Sequence, residues 1–156
     1  MLTTRLAVPE DEPFLFEVYA DTRSKELSSW GWSKEQSNLF LRMQYEAQRR
    51  SYFADASSVT EEVVQYEKER VGRILTRTTD LVLAIVDISL LGGYRNRGLG
   101  TELIRRCQRH AYGTNRSVEL HVLNGNPAIR LYDRLGFEAV SEASPYIAMK
   151  WSPRAF

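Results

Sequence analysis

Apolar residues recur along this chain with the spacings of helices and of strands. Phe14, Leu15 and Val18 follow a helical period directly after Glu10-Asp11-Glu12, and acidic residues favour the start of a helix. The stretch from Leu81 to Leu91 is largely apolar on both faces, as in a strand at the centre of a sheet. The full pattern predicts the order β-α-α-β-β-β-α-β-α-β-β, which indicates a mixed sheet with helices on both faces.

Cap and turn residues predict where these elements begin and end. Ser33 and Gln36 form a capping box for the second helix, and Phe40, Met43 and Ala47 would lie on its apolar face. The predicted strands are Thr4–Ala7, Glu62–Tyr66, Val71–Thr76, Leu81–Leu91, Val118–Leu123, Glu138–Val140 and Tyr146–Trp151, the later helices are Thr101–Tyr112 and Asn126–Gly136, and a loop rich in Ser and Trp covers Ser24–Trp32.

Length and composition narrow the class of protein. The 156 residues are 43% hydrophobic and 26% charged, which is ordinary for a globular protein, and we expect a single domain over residues 1–156. A net charge of +1 gives no overall field that would attract nucleic acid or a membrane. No apolar run approaches the roughly 18 residues of a membrane span, and no secretion signal is visible. We therefore expect a cytoplasmic protein.

The single cysteine fits the same compartment. Cys107 has no second cysteine to pair with, so an internal disulfide is excluded. It falls on the apolar stripe of its helix with Leu103, Ile104 and Ala111. We expect a buried structural thiol and not a nucleophile.

A glycine-rich loop, Arg95 to Thr101, lies between the central strand and the next helix. The first turn of a helix has backbone N–H groups without internal partners, and the helix dipole adds positive potential there. Gly98 and Gly100 carry no Cβ, so an anion can approach the backbone, and Arg95 and Arg97 add positive charge. The loop therefore predicts a pyrophosphate site.

Two common nucleotide motifs are not matched by this loop. A third glycine three residues after Gly100 is absent, which argues against the dinucleotide fingerprint, and no Gly-Lys-Ser/Thr follows, which excludes a P-loop. A second cluster comes one helix and one strand later, from Asn126 to Phe137. In it Asn126 caps a helix, Pro127 takes its first position and Gly136 ends it.

The two segments together resemble the Gcn5-related N-acetyltransferase (GNAT) superfamily. Arg95 to Gly100 matches its Arg-x-x-Gly-x-Gly loop, and Asn126 to Phe137 looks like its Asn-x-x-Ala/Ser…Tyr-x-x-x-Gly-Phe segment. The resemblance covers most of the chain in element order. It implies an α/β fold of the acyl-CoA N-acyltransferase type, with a mostly antiparallel sheet of six to seven strands, and acetyl-CoA as co-substrate without a metal. Gly92 stands where the family often has proline, so we expect a looser start of the loop.

The resemblance also implies which residues hold coenzyme A. The pyrophosphate would lie on the amides of the glycine-rich loop, and the pantetheine arm would pair with the backbone at the end of the central strand. The N–H of Leu90 would polarise the thioester carbonyl. The side chain of Asn126 would contact the pantetheine arm, a role compatible with a helix cap. The implied contact residues are Ser89, Leu90, Leu91, Arg95, Arg97, Gly98, Leu99, Gly100, Thr101 and Asn126.

Tyr132 and Asp87 are the candidate catalytic residues. The resemblance makes Tyr132 the general acid for the leaving thiolate, and the alternative is a core tyrosine. Asp87 could serve as the general base, or it could be a strand carboxylate bonded to an arginine, which we favour. The amine could also lose its proton through water. His121 and Glu26 are weaker candidates for the base.

The acceptor is the part that the sequence determines least. In the family, the first two helices and their connecting loop form the acceptor wall, and here this region contains Glu26, Trp30 and Trp32. Aromatic rings beside an acid suit a cationic amine. The alternative is that both tryptophans only pack the loop against the sheet.

The favoured function is transfer of an acetyl group to a primary amine of a small molecule, by direct attack in a ternary complex. The alternatives are a protein N-terminal or lysine acetyltransferase and a coenzyme A sensor without turnover. Arg105, Arg106, Arg109 and Arg116 could suggest nucleic-acid binding, but no aromatic residues interleave this helix face in the sequence, so we expect a solvated face. We expect no membrane partner, and a monomer or homodimer.

Overall fold

The structure, a computed structural model, describes residues 1–54 and 59–153, without the side chains of residues 24–26. The chain forms two compact units. The first contains Met1–Leu75 and Asp87–Arg97, and the second contains Thr76–Val86 and the chain from Gly98 onward.

The observed elements follow the predicted order, and the fold is mixed α/β. The seven strands form one mostly antiparallel sheet in the order β1-β2-β3-β4-β5-β7-β6, with helices around it. The strands are β1 (Leu2–Leu6), β2 (Val59–Tyr66), β3 (Glu69–Thr78), β4 (Val82–Leu90), β5 (Ser117–Leu123), β6 (Glu138–Ala143) and β7 (Tyr146–Trp151), and the helices are α1 (Glu12–Ser28), α2 (Lys34–Tyr52), α3 (Leu99–Gly113) and α4 (Ala128–Arg134).

The core of the first unit includes the buried faces of α1 and α2 together with β2. Its buried residues are Phe14, Leu15, Val18, Tyr19, Leu27, Leu41, Tyr45 and Val63. The apolar face predicted for α2 was wrong at Met43 and Ala47, which are exposed, while Phe40 is partly buried against the core. Leu41 and Tyr45, one turn apart, are buried instead, and the aromatic ring of Tyr45 packs against those of Phe16 and Tyr19.

The first helix is longer than predicted. The loop expected over Ser24–Trp32 is helical as far as Ser28, since α1 continues through the buried Leu27. The capping box that starts α2 is confirmed: the N–H of Gln36 donates to Ser33 Oγ at 3.1 Å, and the N–H of Ser33 donates to Gln36 Oε1 at 3.0 Å. Local cap chemistry therefore located the start of α2 correctly.

In the second unit, β4 pairs in parallel with β5 from Val82↔Ser117 to Ile85↔Leu120, and β5 pairs antiparallel with β7. Strand β4 continues to Leu90, beyond these pairs. Helix α3 buries a stripe at helical spacing, formed by Leu99, Leu103, Ile104, Cys107, Gln108 and Ala111. Cys107 is a free, buried thiol, as predicted. Within the described residues, none of the helices is both long enough and apolar enough to cross a bilayer.

Candidate active site

The glycine-rich loop begins α3. Gly98 has φ +80°, a left-handed conformation that favours glycine, and α3 starts at the next residue. A Cβ added at Gly98 or Gly100 would meet nothing of the protein within 4 Å. Neither glycine is therefore needed for packing, and both leave the backbone at the start of α3 open to a ligand. The first N–H groups of a helix have no partner within it and attract anions.

The two arginines of the loop are held by their neighbours. Arg95 donates from Nε to the carbonyl oxygen of Leu90 at 2.9 Å and from Nη2 to Asp21 at 3.0 Å. The guanidinium of Arg97 lies 5.5 Å from the ring centroid of Tyr66 and 5.3 Å from that of Tyr94. Cation–π contacts of this kind orient a guanidinium without neutralising it. The positive charge of Arg95 is thus paired with Asp21, while that of Arg97 lies over the two tyrosine rings.

Asp21 of α1 is a residue that the sequence reasoning missed. Its Oδ2 accepts a hydrogen bond from the N–H of Gly92 at 2.8 Å, besides the bond from Arg95. Gly92 was expected to loosen the start of the loop, and the structure shows its N–H engaged. No local pattern links Asp21 to Gly92, which lies 71 residues further along the chain.

At the end of β4, the backbone N–H groups of successive residues point to opposite edges of the strand. The N–H of Leu91 donates to the carbonyl oxygen of Val71 at 2.8 Å, so it is not available for pairing with a pantetheine arm. The alternation directs the N–H of Leu90 away from β3. A Cβ at Gly72 of β3 would lie 2.2 Å from the carbonyl oxygen of Ser89. Only glycine at this position allows β3 to approach β4 so closely.

Asp87 lies in a chain of charged groups inside the first unit. It accepts hydrogen bonds from Arg73 Nη2 and from Ser89 Oγ, both at 2.7 Å. Arg73 is only 5% exposed and also binds Glu61, which in turn binds Arg49. The arginine-bonded arrangement that the sequence reasoning favoured for Asp87 is thus present. Arg73 lies among apolar residues of β3, and the hydrophobic pattern of the sequence did not indicate that its side chain would be buried.

Tyr52, at the end of α2, has a raised pKa. Burial is the main cause, and the negative charge of Asp87 adds to it. Since an anion near a phenol disfavours ionisation, both effects keep Tyr52 protonated.

Within the described residues, no group of three or more His, Cys, Asp or Glu side chains could hold a metal ion.

The predicted acceptor residues form an aromatic cluster between α1 and α2. Trp30 and Trp32 have ring centroids 5.1 Å apart, and both contact Phe40 of α2, at 5.8 and 5.1 Å. Their exposed fractions are 48% and 42%, so each keeps an open ring surface. Glu26 lies on α1, but its side chain is outside the described part of the structure.

The segment from Asn126 to Phe137 adopts the predicted helix and glycine stop, with the helix start shifted by one residue. Asn126 Oδ1 accepts a hydrogen bond from the N–H of Ala128 at 2.9 Å, so its side chain caps α4. The helix begins at Ala128, one residue later than predicted, because Pro127 takes the cap position by backbone geometry. Gly136 has φ +92° and follows the helix, as a C-terminal glycine does.

Tyr132 is half-buried on α4. Its ring centroid lies 6.1 Å from that of Phe137, in an edge-to-face arrangement. Burial raises the pKa of the phenol. Tyr132 therefore remains protonated at neutral pH and has a proton to donate.

His121, the weaker candidate for the base, is exposed on β5, where it pairs with Ala148 of β7.

The basic face of α3 is partly neutralised by Glu102, which binds Arg109 at 2.9 Å and Arg106 at 3.5 Å. The interaction with Arg109 lowers the pKa of Glu102. The expectation that aromatic residues are absent from this face needs correction. Tyr112 and Trp151 line a shallow groove of about 450 Å³ together with Arg105, Gln108 and Arg109.

A sequence profile of the acetyltransferase (GNAT) family matches residues 15–137. The chain belongs to this family. The matched part of this GNAT acetyltransferase contains the glycine-rich loop, Asp87, Asn126, Tyr132 and the aromatic cluster. The resemblance described above is therefore confirmed at the level of the family.

Solved GNAT structures are similar to this one in fold. A PaiA N-acetyltransferase from Thermoplasma acidophilum in complex with coenzyme A has a TM-score of 0.72 at 15% identity, covering 97% of this chain and 99% of its own. The ribosomal-protein-S18-alanine N-acetyltransferase from Escherichia coli has a TM-score of 0.68 at 17% identity, covering 100% and 97%. Nourseothricin acetyltransferase has a TM-score of 0.52 at 20% identity, covering 64% and 68%. Among curated proteins, no match to the chain was found.

Proposed function

We propose that this GNAT protein transfers an acetyl group from acetyl-CoA to a primary amine of a small molecule. The proposal rests on the backbone geometry at the start of α3. There a left-handed Gly98 and an open Gly100 leave helix N–H groups accessible, and two arginines directly precede them in the chain. These features fit a pyrophosphate, because an anion needs close approach, N–H donors and positive charge.

The pyrophosphate would be held by the backbone of Arg97, Gly98, Leu99, Gly100 and Thr101. The open space beside both glycines is the feature of this structure that fits such a group. Arg95 acts mainly on the loop itself, since its Nε and Nη2 are bonded within the first unit. Arg97, which forms no ion pair with a carboxylate of the described residues, would supply the positive charge.

The acyl end would rest on the end of β4. The N–H of Leu90 points away from β3 and would donate to the thioester carbonyl, whose oxygen gains negative charge as the amine attacks. Leu90 would pair with the pantetheine arm, while Leu91 is left out because Val71 takes its N–H. Ser89 is left out as well, since residues two apart in a strand direct their N–H groups to the same edge. Asn126 would reach the same arm with its amide nitrogen, since its Oδ1 already caps α4.

Proton transfer completes the reaction. The amine nitrogen attacks the carbonyl carbon, the carbon–sulfur bond breaks, and the thiolate takes a proton from Tyr132. The ordinary pKa of a thiol, about 8.5, and that of a phenol, about 10, are close enough for proton transfer between positioned groups. The attacking nitrogen loses its proton to water, or to Asp87. We favour water, because Arg73 and Ser89 already occupy the Asp87 carboxylate.

The acceptor would be a cationic amine. The half-exposed rings of Trp30 and Trp32 offer faces on which an ammonium or an attached organic group can rest. Glu26 would add a negative charge near them. A protein N-terminus or lysine carries the same amine chemistry, so the acceptor has to be identified by assay.

Ligand-dependent melting tests the proposal first. Acetyl-CoA binds only the folded state, so it should raise the melting temperature by mass action. Gly98→Val should remove most of this rise, because the side chain occupies the phosphate approach. A folded Gly98 variant with an undiminished rise contradicts the pyrophosphate site. Binding by the wild type without any amine-dependent release of coenzyme A would instead indicate a sensor.

A further inference from the structure

Asp21 of α1 is bonded to the segment that links β4 to the glycine-rich loop. Its Oδ2 accepts from the N–H of Gly92 at 2.8 Å and from Arg95 Nη2 at 3.0 Å. Arg95 in turn donates from Nε to the carbonyl oxygen of Leu90 at 2.9 Å. Through these bonds, one carboxylate restrains the backbone at residues 90 and 92 and the side chain of residue 95.

The Asp21–Arg95 pair contributes little to global stability. Both side chains are substantially exposed, at 37% and 41%, and exposed ion pairs are weakened by water and salt. The pair matters more for the local backbone conformation than for global stability, because it restrains a short segment that contains two successive glycines. Without a restraint, Gly92 and Gly93 would sample many backbone conformations.

We propose that Asp21 is a positioning residue, which holds Leu90 and the start of the glycine-rich loop in the conformation that binds acetyl-CoA. The inference rests on the proposed function. Leu90 is the residue whose N–H faces the thioester in that proposal, and Arg95 precedes the helix start by only a few residues. A loop that is ordered before binding loses less conformational entropy when the ligand arrives.

The geometry at Gly92 makes the proposal specific. Gly92 is the first residue of a short 3-10 helix, Gly92–Tyr94, and the usual φ of such a helix is close to that of proline. In the wild type, Gly92→Pro would remove the N–H donor and press the ring against the Asp21 carboxylate. When Asp21 is alanine, the same proline would replace the missing restraint by its own fixed φ. The two substitutions should therefore not be additive.

The experiment compares Asp21→Ala, Gly92→Pro, the double variant, and Glu17→Ala as a control. Glu17 is an exposed carboxylate one turn earlier on α1. Three quantities are measured: the Kd for coenzyme A, the melting temperature, and amide hydrogen exchange over residues 90–97 without ligand. Asp21→Ala should weaken coenzyme A binding roughly tenfold, speed exchange in residues 90–97, and leave the melting temperature nearly unchanged. Glu17→Ala should change none of these quantities. Gly92→Pro should weaken binding in the wild type and strengthen it in Asp21→Ala.

The failures of the two proposals are distinguishable. Unchanged exchange over 90–97 in Asp21→Ala overturns the restraint, whatever the protein binds. Additive effects of Asp21→Ala and Gly92→Pro on the Kd also overturn it. If the wild type does not bind coenzyme A, the proposed function is overturned, and with it the role of Asp21 in binding. Faster exchange in Asp21→Ala would then still show that Asp21 restrains residues 90–97.

Discussion

Tyr132 combines burial with a retained proton. The phenol is half-buried beside Phe137, and burial raises its pKa above the ordinary value near 10. A raised pKa keeps the phenol protonated throughout the neutral range. It also means that ionisation of Tyr132 would limit catalysis only in strongly alkaline solution.

Replacing this proton donor gives the sharpest prediction for a single residue. Tyr132→Phe keeps the ring and its packing, so acetyl-CoA affinity and melting temperature should change little. Turnover should fall about 10²-fold or more, the usual contribution of a positioned acid. In the wild type, kcat should not fall between about pH 7 and 9, because Tyr132 is still protonated there. Steady-state kinetics of Tyr132→Phe and of the exposed control Tyr146→Phe measure this.

Near-normal turnover in Tyr132→Phe would assign leaving-group protonation to water and leave Tyr132 a packing residue. A better leaving thiolate needs less protonation. The defect should therefore shrink with acyl donors whose thiol has a lower pKa.

Asp11 has a strongly perturbed carboxyl group outside the candidate site. It is buried and receives two bonds of 2.8 Å from Arg5 and one of 2.9 Å from the N–H of Val8. The hydrogen bond from Arg5 is the main reason that the pKa of Asp11 is lowered far below its usual value. A carboxylate with a depressed folded-state pKa stabilises the fold above its unfolded pKa, near 4, and this contribution is lost as the pH falls.

The free energy of unfolding should therefore decrease on acidification from about pH 5 downward, in part through Asp11. Asp11→Asn should cost about 1–3 kcal/mol at pH 7, because it weakens hydrogen bonds to a charged group, and should flatten the acid dependence. Denaturant titrations at several pH values measure this, with the exposed Asp80→Asn as control. An unchanged acid slope in Asp11→Asn would contradict the assignment.

At the scale of elements, α3 shows which features serve the fold and which serve a ligand. Its buried stripe from Leu99 to Ala111 packs the helix. Gly98 and Gly100 at its start have no packing neighbours for a Cβ. A glycine inside a helix costs roughly 0.5–1 kcal/mol relative to alanine, so Gly100 weakens the helix without a compensating contact in the protein.

Gly100→Leu should separate these two demands. Leucine is a good helix former and would point into open space, so the free energy of unfolding should be unchanged or rise slightly. Coenzyme A affinity should fall strongly, because the side chain covers the backbone N–H groups. Gly113→Leu is the matched control, since Gly113 lies at the other end of α3 and also has open space. Equal coenzyme A affinity in both variants would remove the loop from the binding site.

Elements with local signals were predicted well from the sequence. The capping box of α2, the glycine stop of α4 and the stripe of α3 each lie within a few residues of the chain. The apolar face predicted for α2 was wrong at Met43 and Ala47, because these residues also follow a helical period together with Phe40. Only packing against α1 selects Leu41 and Tyr45.

At the scale of the molecule, the net charge is only +1, and two arginines of the basic face of α3 share one carboxylate. Glu102 binds two arginines of α3, and Arg116 donates to the carbonyl oxygen of Thr79 at 2.7 Å. The groove that contains Arg105 and Arg109 does include Tyr112 and Trp151. A nucleic-acid surface, however, needs many uncompensated charges along a backbone.

We therefore predict that neither duplex nor single-stranded nucleic acid binds tightly at physiological salt. Fluorescence anisotropy with labelled DNA and RNA measures this, with Arg105→Ala as the comparison. Nanomolar binding that weakens in Arg105→Ala would mean that the groove on α3 is a nucleic-acid surface.

The contacts between site residues that are far apart in the chain could not be predicted from the sequence. The loop, Asn126 and Tyr132 were found from motifs that are contiguous in the chain. Asp21 and Arg73 came only from the structure, because their partners lie far along the chain and a charge on a helix or strand carries no signal of its partner.

Acetyl transfer to an amine is the central claim, and it can be measured directly. The wild-type protein is incubated with acetyl-CoA and a panel of small-molecule amines, peptide N-termini and lysine peptides. Coenzyme A release is followed together with the mass of each acceptor. We expect release that depends on a small primary amine, with an equal amount of N-acetylated product, and loss of both in Gly100→Leu. Release of coenzyme A to water alone, or no acetylated product from any amine despite binding of acetyl-CoA, would contradict this claim.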